Sequence, residues 1–514
     1  MNELLESIKN KNIRNFGEIL EYYDKKSPNK VFLTDIRNDR QFTYSEFNLM
    51  VDKTAEYLWS QNLPKESVVS IVVENSWIFL CFYFASLKLG LIVNPFPFSL
   101  EAQDLKRYFD YIDPAIVIAG DGIYQDLAHS SCQHHLVKVK DEQWFEILKS
   151  LKPYDNFSRV DADKIACLYY SSGTTASPKG IMVSHRNMLS NISSIVDGFN
   201  FDQKEKHLVF LPLGHTASIN YSILPCLFVG GEIILAQSIW DLRINFWEIV
   251  SQYCITFFEM VPTALLIILN IPKPNKKLNI SSLKWAGCGS SQLLVQHQVE
   301  FSNKFNIPVG NLYGLSETGP SHIDYPLSPH WEPGSIGHAL SVNNCKIIDE
   351  NDKECGVNIE GEICLKGDNI FVGYYKNRHL YHESFLDGYF HTGDLGCKAS
   401  DGRFYFLGRS KDLIIKGGVN ILPAEIEEIL SKHHNVAEVA VFGIPDKISG
   451  EEVCAILRLK AKTRKSDLLD FCAKEISHYK IPKEIIFIDD LPKGPSGKVL
   501  KRVLKDKYCN GDLL

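Results

Sequence analysis

The segment Tyr169-Tyr-Ser-Ser-Gly-Thr-Thr-Ala-Ser-Pro-Lys-Gly180 carries the densest set of groups able to hold an anion. Small hydroxyl side chains and two glycines let backbone N–H groups and hydroxyls close around a phosphate without obstruction, and Lys179 adds a cation. The order is not that of a Walker A loop, because Lys179 precedes the last glycine and Ile181 follows it. On composition alone such a loop is equally a plain turn, and both readings stay open. Further along, single ionisable residues sit in glycine-rich settings: Glu317 after Tyr313-Gly-Leu-Ser, Asp394 in Thr392-Gly-Asp, and Lys498 after Ser496-Gly. Each has a plain alternative as a helix cap, a turn-closing carboxylate or a solvated loop charge.

These residues need elements to hold them in place. Residues 43–60 repeat Phe47, Val51, Ala55 and Leu58 at helical spacing, with Thr43 or Ser45 as the cap. Ser67–Val73 is a β-branched run that predicts a buried strand. A helix over Glu74–Leu89, stopped by Gly90, and a strand from Leu91 to Val93 follow it. Short apolar strands are expected at Ala115–Ala119, Ile165–Tyr170, Ile181–Val183, Leu208–Leu211, Glu232–Ala236 and Ser282–Ala286. Alternation of this kind predicts an α/β fold with mainly parallel sheets. After about residue 332 frequent glycines punctuate short strands such as Glu362–Lys366, which predicts a β-rich subdomain. A last α+β unit is expected, with helices at Pro423–His433 and Ser466–Ser477 and strands at Glu438–Phe442, Val453–Leu459 and Ile485–Ile488.

Composition narrows the function. The 514 residues allow two to four units at roughly 100–200 residues each. A net charge of −7 argues against a dedicated nucleic-acid binder. The most apolar run, Trp77–Leu87, is too short for a bilayer, which needs about 20 residues, and reads as a buried helix. The first residues have no apolar signal core, so a cytoplasmic protein without a membrane span is expected. The 13 scattered cysteines form no Cys-x-x-Cys pair and read as reduced thiols. Cys132-Gln-His134-His135 lacks a second ligand pair at zinc spacing.

The order Ser171-Ser-Gly-Thr-Thr-x-x-Pro-Lys-Gly180 resembles the phosphate-loop signature of the adenylate-forming superfamily, with Ala176 where a glycine is usual. This superfamily comprises acyl-CoA synthetases, adenylation domains of nonribosomal peptide synthesis and firefly luciferase. Other segments resemble its motifs in the same order: Leu211-Pro-Leu-Gly-His-Thr-Ala-Ser218, with Gly214 replacing a Phe; Asn311-Leu-Tyr-Gly-Leu-Ser-Glu-Thr-Gly319; and Tyr389-Phe-His-Thr-Gly-Asp-Leu395. The junction Gly408-Arg-Ser-Lys-Asp-Leu-Ile-Ile-Lys-Gly-Gly418 and the lysine loop Pro492-Lys-Gly-Pro-Ser-Gly-Lys498 complete the series. The weaker Ala85…Gly90…Pro95 pattern extends it towards the N-terminus. The resemblance implies a large domain over residues 1–409, with the β-rich subdomain at about 332–409, and a small mobile domain over 410–514.

It also implies two steps. A carboxylate attacks the α-phosphorus of ATP to give an acyl-adenylate and pyrophosphate, and a thiol then displaces AMP. The resemblance places the β- and γ-phosphates at Ser171, Ser172, Gly173, Thr174, Thr175 and Lys179, and Mg²⁺ at Glu317 with Thr174. Tyr313 would stack on adenine, Ser316 would contact the α-phosphate, Asp394 would take the ribose hydroxyls, and Arg409 would reach the ribose or phosphate region. Gly289, Ser290, Ser291, Asn311, Gly314 and Phe406 complete the nucleotide site. Lys498 would bridge the carboxylate and the α-phosphate, a task that suits a compact ammonium. Lys411 matches the hinge of the mobile domain, and Gly417 and Gly418 would line the thiol's path.

By the same resemblance the acid pocket comprises His215, Ser218, Ile219, Gly287, Cys288, Gly289, Leu315, Pro320 and His322. No carboxylate follows His215 to pair an α-ammonium, so an α-amino acid is disfavoured and a fatty or aryl acid expected. Lys416-Gly-Gly-Val-Asn-Ile421 has the form common among acyl-CoA ligases, which favours CoA as acceptor. The pantetheine arm of a separate acyl or peptidyl carrier protein is the alternative, and both monomer and homodimer stay open.

Overall fold

The computed structural model describes residues 2–130, 134–170, 179–494 and 497–513. Two seven-stranded sheets dominate. The first runs Val309–Leu312, Ala286–Gly289, Phe257–Met260, Lys206–Val209, Glu232–Leu235, Val31–Asp35 and Arg40–Thr43, parallel except for its last pair. The second runs Gly373–Tyr374, Gly180–Ser184, Ile165–Tyr170, Ile92–Pro95, Val68–Val72, Ile116–Gly120 and Leu136–Val139. Its first three strands are antiparallel to one another and the rest are parallel. The phosphate-loop segment therefore joins two antiparallel strands, with Tyr170 paired to Gly180 at its base.

Local sequence explains the helices between them. Thr43 caps the helix Tyr44–Ser60 through a capping box with Glu46. The next helix begins at Trp77, not Glu74, because Ser76 is its N-cap, and it ends at Leu89, where Gly90 takes φ +69°. Every residue from Trp77 to Lys88 is buried, so this apolar run is a core helix. Its last cation is not a solvated end: Lys88 lies 2.7 Å from Glu21, pairs with Asp52 and stands over the Phe157 ring. Among the described residues no helix is long and apolar enough to cross a membrane.

One expected strand is displaced. Ser282–Ala286 is mostly a turn in which Leu283 N–H donates to the Ile280 carbonyl, and the strand is Ala286–Gly289. Its glycines pack against the Leu312 and Phe257 side chains, which a side chain at 287 would strike. Leu208–Leu211 likewise begins and ends two residues earlier, as Lys206–Val209.

The β-rich region is an antiparallel sheet of Asn343–Ile348, Gly361–Gly367, Tyr389–Lys398, Phe385–Leu386 and Phe404–Arg409. Beyond Arg409 lies a third core around Ile414, Ile426, Leu430, Val441, Val453 and Leu468. It is built on the strands Val436–Asp446 and Gly450–Leu459 and the helices Pro423–Ser431 and Lys465–Glu475.

Candidate active site

The site gathers where three units meet. The ribbon Tyr313–His322 leaves the end of the strand Val309–Leu312 and is tied down by asparagine amides. Asn191 donates to the Pro320 carbonyl at 2.7 Å, and Asn369 donates to the Thr318 carbonyl at 2.8 Å. Glu317 is held from above, since Tyr374 Oη donates to its Oε1 at 3.1 Å. Burial raises its carboxyl, while the Tyr374 hydroxyl, Arg409 and Lys179 pull the other way. The Lys179 charge therefore reaches Glu317. Ser171, Ser172, Gly173, Thr174 and Thr175 lie outside the described residues.

Tyr313 and Asp394 form one unit. Tyr313 Oη donates to Asp394 Oδ2 at 2.8 Å, which fixes the ring, and Phe406 lies 5.9 Å from it, centroid to centroid. Arg409 Nε stands 3.1 Å from Asp394 Oδ1. That oxygen accepts no hydrogen bond although the carboxylate is buried, so an acceptor is held ready for a hydroxyl. Ser290, with φ +66°, and Ser291 lie just past the strand Ala286–Gly289, and Asn311 sits on the neighbouring strand.

The small third unit docks over this site. Thr263 Oγ1 donates to the Gly497 carbonyl at 2.8 Å, and Val295 N–H reaches Glu428 Oε2 at 3.4 Å. Lys498 is thereby brought towards Asp394. Burial first, then the Arg409 charge, lowers its ammonium to about 8, while Asp412 and Asp394 oppose the shift. Lys411 is exposed in the turn Ser410–Asp412. Gly417 and Gly418 occupy an exposed hairpin turn with φ +58° and +82°, and no atom stands within 4 Å of where a side chain would begin. The turn itself accounts for both glycines here.

The expected acid pocket divides. The segment before His215 is set by Asn75, whose amide donates to the Leu211 carbonyl and whose oxygen accepts from Leu213 N–H, both at 2.8 Å. Gly214 is explained by the Phe96–Pro97 backbone, whose atoms lie within 2.2 Å of where its Cβ would be. His215 Nδ1 accepts from Ala217 N–H at 3.3 Å, and burial lowers the ring to about 4, so it is neutral. Ser218 and Ile219 open a π-helix, Ser218–Ile223, which sequence periodicity did not suggest. The Gly319–Pro320 strand, paired to Gly314–Leu315, packs on this π-helix, while Gly287 and Gly289 lie on the strand next to Phe257–Met260, which packs on it too. Cys288 alternates to the other face of its strand, into the core with Met260 and Leu265. His322 is fully buried between Tyr313 and Phe404, hydrogen-bonded to Ser321 and near Cys345. Sequence reasoning also missed Glu259, a buried carboxyl beside Gly287, and Tyr374, which holds Glu317.

Among the described residues, the group Glu362, Cys364 and His391 has metal-ligand types within 4.8 Å, but Glu362 is already engaged by His391 Nδ1 and Gly393 N–H. Cys132 lies outside the described residues, and His134 faces Asp113 at 3.7 Å.

Two parallel-sheet layers, a β-rich subdomain and a small unit that carries a lysine to a Tyr–Asp–Arg cluster define an enzyme that handles a nucleotide and a second substrate. The AMP-binding enzyme family matches residues 20–375, and its C-terminal domain matches residues 425–498; the chain belongs to this family. The chain is 29% identical to the sulfoacetate–CoA ligase of Cupriavidus necator, over 92% of the chain and 94% of that protein. The structure of ATP-bound MatB from Rhodopseudomonas palustris superposes with a TM-score of 0.87 at 28% identity, covering 96% of this chain and 99% of that one. The o-succinylbenzoate CoA synthetase of Bacillus subtilis, solved with its acyl-adenylate, gives 0.84 at 25% identity, covering 95% and 98%.

Proposed function

We propose that this chain activates a carboxylic acid with ATP to an acyl-adenylate, releasing pyrophosphate, and passes the acyl group to the thiol of CoA. The observation that carries the reading is the placement of Lys498, whose ammonium feels both Asp394 and Arg409 beneath the docked third unit. An anion attacking a polyanion needs neutralisation and alignment more than proton transfer, and a lysine delivered by a docking unit supplies both. Asp394 Oδ1, ion-paired with Arg409 but accepting no hydrogen bond, suits a ribose hydroxyl, and the Tyr313 ring beside it suits adenine. Ser316, Lys179 and Arg409 would hold the phosphates.

Glu317 fits Mg²⁺ in kind: it offers a hard oxygen and faces cations that would also face phosphate, with the remaining ligands left to substrate and water. When bound, the metal would neutralise phosphate charge. Lys411 would act as the hinge that turns the unit from residue 410 onwards, so that Gly417 and Gly418 leave the solvent and meet the thiol.

The test is pyrophosphate release over fatty, aryl and amino-substituted acids, each with and without CoA. Release that depends on one acid and is stimulated by CoA is expected. Release without CoA stimulation, leaving enzyme-bound adenylate, would transfer the acceptor role to a carrier protein. Silence with every acid would overturn the reading.

A further inference from the structure

The acid wall contains a charge-bearing group that nothing in the protein satisfies. Glu259 lies on the inner strand Phe257–Met260, third in its sheet, is 3% exposed, and has no hydrogen-bond partner on either carboxylate oxygen. Burial alone accounts for its shift, which holds the carboxyl up near 8, and no cation contributes to it. An unpaired buried carboxyl is among the more costly features a core can contain. A fold that retains one beside a substrate pocket invites a partner from outside.

Register shows where the group sits. Glu259 pairs with Gly287, and a side chain built at Gly287 would meet Phe257 Cζ at 3.2 Å. Residues 257, 259 and 287 therefore share one face of the sheet. The π-helix Ser218–Ile223, which supplies Ser218 and Ile219 to the acid pocket, packs on the strand, and Glu259 acts on Tyr221 across that contact. Leu312 Cδ1 stands 2.5 Å from where a side chain at Gly287 would begin, so Leu312 and Phe257 bound the face on which the carboxyl sits. Two residues along the chain, Val261 lies 3.1 Å from where a side chain at Gly497 would begin, next to Lys498. Glu259 is thus roughly 6–7 Å deeper along the strand than the point where the lysine loop docks.

We infer that the acid substrate carries a basic nitrogen remote from its reacting carboxylate, and that Glu259 pairs with this nitrogen at the inner end of the pocket. This rests on the proposed acid–CoA ligase activity and names its substrate class. The depth fits a short ω-amino alkanoate or a para-(aminomethyl) benzoate, whose amines are basic. It does not fit an α-amino acid, whose ammonium would lie beside the carboxylate. The absence of a carboxylate next to His215 agrees, since the counter-ion stands on a different wall.

The test compares matched acids: hexanoate, 6-hydroxyhexanoate and 6-aminohexanoate, and 4-methylbenzoate with 4-(aminomethyl)benzoate. Pyrophosphate release is measured on the full chain and on Glu259→Gln and Glu259→Leu. The wild type is expected to favour an amine-bearing acid over its plain counterpart by at least about a hundredfold in kcat/KM. Glu259→Leu should reverse that order while still activating the plain acid. Melting temperature separates specificity from structure: removing an unpaired buried carboxyl should leave it unchanged or raise it. Preference of the wild type for a plain or hydroxy acid, or a preference for amines that survives in both variants, overturns the inference and leaves the ligase reading standing. Silence of the wild type on every acid overturns the ligase reading, and this one with it.

Discussion

Lys498 is the residue to which we assign the adenylation step, and that assignment makes two predictions. Lys498→Ala should lower adenylation by about 10²–10³-fold, as loss of one preorganised charge does, while thioester formation from supplied acyl-adenylate stays near wild type. Measuring the two half-reactions separately checks this, and near-wild-type adenylation would remove the lysine from the step. The second concerns pH. Burial and Arg409 depress the ammonium to about 8, so its charge is present below that value and is lost as pH rises through it. The kcat/KM for adenylation should therefore fall above about pH 8 in the enzyme without substrate. Asp394, Asp412, Arg409 and Lys411 are the charged groups that act on the lysine. The motifs that carry Lys498, Glu317 and Asp394 were legible in sequence because each is glycine-rich and they follow one another in a diagnostic order, and the structure sets Asp394 against Tyr313 and Arg409. Glu259 was not, because a lone Glu between Phe258 and Met260 has no local signature; only the pairing of distant strands sets it beside Gly287.

At the scale of elements, the alternating pattern located most strands and helices, since burial on both faces leaves continuous apolar runs. It failed where tertiary contacts decide. Ala286–Gly289 is a strand made half of glycine, and close neighbours rather than β-propensity select it. The same limit applies to Lys88, which reads as a polar helix end but is a buried cation shared by Glu21 and Asp52. Lys88→Met should destabilise the protein by about 3–5 kcal/mol, by leaving those carboxylates without their counter-charge. Burial lifts the Asp52 carboxyl to about 6 even with Lys88 pulling it down, and loss of Lys88 raises it further, so the penalty should shrink as pH falls towards that value and the variant's acid neutralises first. Denaturant midpoints of both proteins at neutral and mildly acidic pH check size and sign.

We place the division of the molecule near Arg409, and among the described residues few polar contacts hold the third unit in place. The Thr263–Gly497 hydrogen bond is one of them. A hydrogen bond of this kind is worth roughly 1 kcal/mol net, so Thr263→Val should shift the docked population several-fold. Adenylation should fall by about that factor, and thioester formation from supplied adenylate should hold or rise; equal losses in both would show a fold defect instead. Lys411→Pro should spare one half-reaction and abolish the other, because fixing φ at the hinge locks a single arrangement.

The exposed hairpin around Gly417 and Gly418 has a calorimetric consequence. Its flanking apolar side chains, Ile415 and Val419, are 55% and 47% exposed in the docked arrangement. Rotation that turns this hairpin inward removes hydrocarbon from water, so the switch between steps should carry a negative heat-capacity change. The temperature dependence of thioester formation would then curve, while that of adenylation, performed with the hairpin still in solvent, would stay closer to a straight line.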